Sequence, residues 1–180
     1  MIRMRFSKPL GNVEDYAKAA QWCNKNNATI EDKGDFYEVV TIPSPPLSEI
    51  KARKLAAIDA ETSAAILAGF ECEATPPDTG VPELLHFSYD EFDQQNFADA
   101  ALSMQLVATS GDIPTSTPWN AYRGHTADSK GELVILNLTA ETFLPIYAAA
   151  LNHKATQMAI GGQRKAAVAA AQTVEDVEAI

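Results

Sequence analysis

The sequence predicts an α+β fold: a small β-α-β-β unit over residues 1–42, a proline linker over 43–47, and a mainly helical domain with a β-hairpin over 48–180. Three observations predict it. At the N-terminus Ile2, Met4 and Phe6 alternate with polar residues, the period of a half-buried strand. Pro43, Pro45 and Pro46 then fall within four residues, which excludes helix and favours an extended, semi-rigid spacer. Beyond them apolar residues recur at helical spacing, interrupted by two strand-like segments around a polar turn.

The elements follow in chain order. Gly11-Asn12 stops the first strand, and Asn12 can cap a helix with Asp15 at its third position. Val13, Tyr16, Ala20 and Cys23 form the stripe of that helix, with Trp22 beside it, and the Asn-rich segment 24–27 ends it. Residues 28–31 and 36–42 flank Asp32-Lys33-Gly34-Asp35, a hairpin signal with glycine where positive φ is wanted. This unit is too small to be stable without help from its neighbours.

After the linker, Ser48 opens a helix to about residue 68, closed by Gly69. Its apolar positions include Ile50, Leu55, Ile58, Ile66 and Leu67, and Lys51, Arg53 and Lys54 mark an outer face. Residues 71–82 read as a loop rich in proline, glycine and acid, and 84–89 as a short strand. Ser88 with Glu91 is a capping-box signature for a helix to about residue 108, whose stripe is Phe92, Phe97, Ala101 and Met104. A turn-rich segment, 109–118, leads to strands at 119–125 and 132–138. Thr139 then starts an alanine-rich helix with Phe143, Leu144, Ile146, Tyr147 and Leu151 on its apolar face. Pro145 is placed to kink it and Gly161-Gly162 to break it. Thr173-Val174-Glu175-Asp176 caps a final turn that runs to Ile180.

Composition excludes several function classes. The chain has 180 residues, 46% apolar and 21% charged, with a formal net charge of −10. It can bury a core, but it lacks the basic face that nucleic acid or an anionic membrane would need. No secretory signal and no bilayer-spanning run are expected. Cys23 and Cys72, 49 positions apart, give neither a disulfide framework nor metal-ligand spacing. They read as buried thiols of a protein made in a reducing compartment.

Chemistry-bearing motifs are few. His86, His125 and His153 fall on three different predicted elements, so a metal site or a general base would need convergence that spacing does not supply. Asp90, Glu91 and Asp93 form the densest acidic cluster, which a helix N-terminus explains as capping and dipole complementarity. The EF-hand pattern, the G-x-S-x-G elbow, the phosphate loop and the dinucleotide loop are all missing. No catalytic, cofactor-binding or metal-ligating residue is therefore assigned. Trp119, Tyr122 and Arg123 are residue types that anchor protein interfaces, although a strand can equally direct them to a core. With Trp22 they make up the expected partner-binding set.

One comparison reaches further than any single motif. Ala56-Ala57-Ile58-Asp59-Ala60-Glu61 leading to Ala68-Gly69-Phe70, then Phe87-Ser88-Tyr89-Asp90 with Asp93-Gln94-Gln95-Asn96-Phe97, keep a shared order. The Trp119 hairpin and Leu138-Thr139-Ala140-Glu141 follow, then His153-Lys154, Lys165-Ala166-Ala167-Val168 and Thr173-Val174-Glu175-Asp176-Val177-Glu178-Ala179. In this order the segment 51–180 resembles an uncharacterised domain family that recurs in the tail gene clusters of tailed phages and prophages. Ala20-Gln21-Trp22-Cys23-Asn24 and the strand around Tyr37 resemble a short N-terminal unit found on some of these tail proteins. The 71–83 loop departs from the pattern.

The resemblance implies place rather than chemistry: a virion part, or a fibre assembly chaperone, encoded beside tail fibre or baseplate components. The expectation is therefore a non-enzymatic phage tail protein that binds the tail fibre or baseplate and uses no cofactor. It would reside in the virion tail, or in the host cytoplasm during assembly. A homo-oligomer is also expected, with a trimer suited to a fibre partner. Two rival readings predict other behaviour. A metal-dependent glycan hydrolase needs Asp90, Asp93 and His86 or His125 to converge. A host-receptor adhesin needs glycan or cell-surface binding by the isolated chain.

Overall fold

The computed structural model describes residues 5–8, 12–110 and 116–180, and the chain divides into two compact units, Met1–Pro46 and Leu47–Ile180. Ile2, Met4, Gly11 and the middle of the turn-rich 109–118 segment lie outside the described residues. The α+β expectation holds in both units.

The first unit runs β1 (Arg5–Ser7), α1 (Val13–Lys25), β2 (Ala28–Asp32), β3 (Phe36–Thr41). Its antiparallel sheet has the order β1-β3-β2. The Asn12 side chain accepts from the Glu14 and Asp15 amides and so caps α1. Gly34 takes φ +85° in the hairpin turn, its amide donating to Asp32 Oδ1 at 2.8 Å. The small core gathers Phe6, Ala19, Cys23, Ala28 and Val39. The α1 stripe differs from expectation: Val13 is exposed and Ala19 is fully buried. Tyr16, Ala19, Ala20 and Cys23 are spaced i, i+3, i+4, i+7, the true inward face, and Val13 stands a turn ahead of it.

The second unit runs α2 (Leu47–Leu67), β4 (Phe70–Ala74), β5 (Glu83–Phe87), α3 (Glu91–Ser110), β6 (Thr117–Arg123), β7 (Glu132–Leu138), α4 (Ala140–Ala170), α5 (Val174–Glu178). Its antiparallel sheet has the order β4-β5-β6-β7, so the expected hairpin is half of a larger sheet. The expected 71–82 loop begins as β4, in register with β5 from Phe70↔Phe87 to Ala74↔Glu83. Phe70, Cys72 and Ala74 face inward while Glu71 and Glu73 face water, a two-residue period that the acidic composition had masked.

One face of this sheet packs on α3 and α4 through Phe70, Leu85, Phe87, Phe97, Leu136 and Phe143. A second cluster, Ile58, Val168, Ala171 and Val177, joins α2, α4 and α5. Further expectations need correction. Leu144 and Leu151 are exposed, so the buried face of α4 is Phe143, Ile146 and Ala150 with Tyr147 beside them, and Cys72 is only partly buried. Asp90, not Ser88, caps α3, its Oδ1 accepting from the Asp93 amide at 2.8 Å. Phe92 is 74% exposed, because five residues turn it about 140° around the helix from the buried Phe97. Gly161-Gly162 does not break α4, which is continuous through Pro145 and both glycines. Instead Gly161 lets α2 come close: a Cβ there would stand 2.3 Å from Thr62 Oγ1.

Candidate binding groove

The groove of the second unit begins where its sheet stops pairing. β5 and β6 meet through a single residue pair, His86↔Tyr122. Antiparallel continuation would set Ser88 opposite Asn120 and Asp90 opposite Pro118. Instead all four line a cavity of about 880 Å³ between the two chain segments. Pro118 suits this position, because proline in a sheet belongs on an edge.

α3 forms the opposite wall. Asp93, Asn96, Ala100 and Ser103 line the cavity at the three- and four-residue spacing that places side chains on one helix face. Phe97 holds that face in position. It is fully buried, with its ring 4.3 Å from Trp119 and 5.9 Å from Phe143. Trp119 therefore has two roles, lining the groove and packing on the core.

The floor is aromatic and titratable. The rings of His86 and His125 stack at 3.6 Å and 13°, and both line the cavity with Tyr122. Gly69, at φ +89°, makes room for His86, since a Cβ would stand 2.8 Å from its Nε2. Burial pushes the His86 pKa below the ordinary value, and the neighbouring His125 adds to the effect. His125 Nδ1 is buried with no hydrogen-bond partner among the described residues.

Charge in the groove is one-sided. Asp90, Asp93 and Asp99 line it, and among the described residues Lys130 is its one lysine or arginine. α3 carries no lysine or arginine. Among the described residues, the ion pairs of this unit join Glu49 to Arg53, Asp59 to Lys165, Glu61 to Arg164, and Arg123 to Asp78, Glu83 and Glu132. The three groove aspartates take part in none of them.

The expected partner-binding residues fall on both units. Trp119 and Tyr122 reach the groove, whereas Arg123 is held within the unit by three carboxylates. Its Nε donates to Glu83 Oε2 at 2.6 Å and its Nη1 to Glu132 Oε2 at 2.9 Å. These bonds raise the guanidinium pKa and lower that of Glu83. Trp22 belongs to the other unit, where it packs beside the Phe6 core. His153 is also structural: its Nε2 lies 3.1 Å from the Ala65 carbonyl at the end of α2. Asn96, Asp99 and Asn120 were missed. The available signal was the polar 93-96-99-103 stripe on α3.

Asp90, Asp93, His86 and His125 do line one groove. Yet among the described residues no three His, Cys, Asp or Glu side chains are grouped to hold a metal ion. No described helix is long and apolar enough to cross a membrane.

The second unit is therefore an α+β domain built around a polar, acidic groove. Residues 49–180 match the family described as Domain of unknown function (DUF4376), and the chain belongs to that family. All the groove residues lie within the matched segment. Neither the comparison with curated proteins nor that with solved structures finds a match.

Proposed function

We propose that this chain is a non-enzymatic tail protein of a tailed phage or prophage, binding the tail fibre or baseplate through the groove of its second unit. The observation that carries a binding role is the groove itself. At about 880 Å³ it falls in the size range of ligand sites, and it combines aromatic surface with convergent polar groups. The tail assignment rests on the ordered resemblance of 51–180 to tail-cluster proteins. The chain acts either as a virion subunit or as an assembly chaperone, with a homotrimer suited to a fibre partner.

Mass spectrometry of purified particles tests the assignment, together with the abundance of the chain in producing cells. A fixed copy number per particle makes it a virion subunit. Absence from particles, with recovery in a complex with a fibre or baseplate protein, makes it a chaperone. Absence from both overturns the reading.

One observation favours a second reading, a metal-dependent glycan hydrolase: two histidines and two aspartates share the groove. Calorimetric titration with zinc or manganese separates the two, since the binding reading predicts no heat at millimolar metal.

A further inference from the structure

We propose that the groove between α3 and β6 takes a short, extended peptide segment bearing lysine or arginine side chains. This deepens the binding reading and depends on it only for the identity of the partner.

The shape argues for an extended chain. One wall is a strand edge, Thr117 to Asn120, that has lost its β5 neighbour, and the other is a helix face running beside it. Proteins take added linear segments along exposed sheet edges; here Pro118 offers no N–H, so the segment is held mainly through its side chains. Tyr122 supplies apolar and cation–π surface on one face of β6, and the part of Trp119 that lines the groove supplies it on the other.

The charge argues for a basic segment. Asp90, Asp93 and Asp99 stand along the α3 wall without a cationic partner among the described residues, against a single Lys130. Asp93 and Asp99 are separated by about 9 Å along the helix axis and about 120° around it, at the two margins of the face that lines the groove. Alternate residues of an extended chain repeat at about 7 Å, a difference that a flexible lysine stem spans. An acidic segment would be repelled by these carboxylates, and a neutral oligosaccharide would donate hydrogen bonds to them but gain no charge pairing.

The test is calorimetric titration of the full chain with a blocked hexapeptide of alternating lysine and threonine. The controls are its glutamate–threonine counterpart and chitohexaose. The lysine peptide binds and both controls do not. Asp93→Asn and Asp99→Asn each weaken binding about two- to fivefold, and together about tenfold. Neither carboxylate is part of an ion pair among the described residues, but Asp93 lies in the first turn of α3 and Asp99 Oδ1 accepts from Gln95 Nε2 at 2.8 Å. Each change therefore lowers the melting temperature by at most a few degrees, and the titrations are run well below it. Binding fades as salt shortens the Debye length from about 30 Å at 0.01 M to about 8 Å at 0.15 M. Equal binding of the glutamate peptide, undiminished binding by the double variant, binding of chitohexaose alone, or no binding of the lysine peptide at millimolar concentration would each overturn the proposal. Particle composition reports on the tail assignment independently, so either idea can fail without the other.

Discussion

His86 is the residue whose surroundings say most about this molecule. It is 9% exposed, fits against a glycine that has no side chain to obstruct it, and stacks on a second imidazole. Burial disfavours the charged form of His86, and the neighbouring His125 adds to the effect. Glu71, paired across the sheet, opposes this, while His153 reinforces it. The sign of the pH dependence follows. His86 binds its proton less readily folded than unfolded, so its contribution to stability is complete above the unfolded pKa of about 6.5. That contribution is lost as pH falls through the lower folded value. Urea midpoints should therefore decline between about pH 7 and 5. In His86→Gln that decline should flatten; an unchanged slope would assign it to other groups. None of this was legible in the sequence, where His86 and His125 are 39 positions apart and no motif links them.

At the scale of elements, Gly161 and Gly162 show how adjacent identical residues can differ. Both sit inside α4, where glycine costs up to about 1 kcal/mol relative to alanine. Nothing stands within 4 Å of a Cβ built on Gly162, whereas one on Gly161 meets Thr62. Thr62 cannot turn away freely, since its hydroxyl donates to the Ile58 carbonyl at 2.7 Å. Gly162→Ala should raise the melting temperature by a few degrees. Gly161→Ala should lower it, because overpacking costs about 1–3 kcal/mol. Equal shifts in the two variants would contradict the close approach of α2 and α4. Sequence reasoning placed most helices and strands, because their periods and caps are local: Asn12, Thr139 and Thr173 all cap as their sequences imply. It misread the glycine pair because a helix–helix contact a hundred residues away, not the backbone, explains the residue. It misread β4 because acidic composition hid an alternating pattern.

For the whole molecule, the second unit concentrates what is distinctive: a four-stranded sheet opened on one side, an acidic helix laid beside the opening, and a histidine pair below. The candidate site was only half legible. Trp119 and Tyr122 stood out by residue type, but Arg123 was singled out for the same reason and is spent on three carboxylates. The groove depends on β5 and β6 parting after a single residue pair, a tertiary event that local patterns do not encode. The central claim is that this groove carries the partner. Asn120 is exposed and lines it, so a photo-crosslinking amino acid at that position samples the occupant directly. In cells producing particles, this chain should crosslink through position 120 to a tail fibre or baseplate component, and the yield should fall when Asp93→Asn and Asp99→Asn are added. Crosslinks that include no tail component, or a yield unaffected by the two changes, would contradict the account.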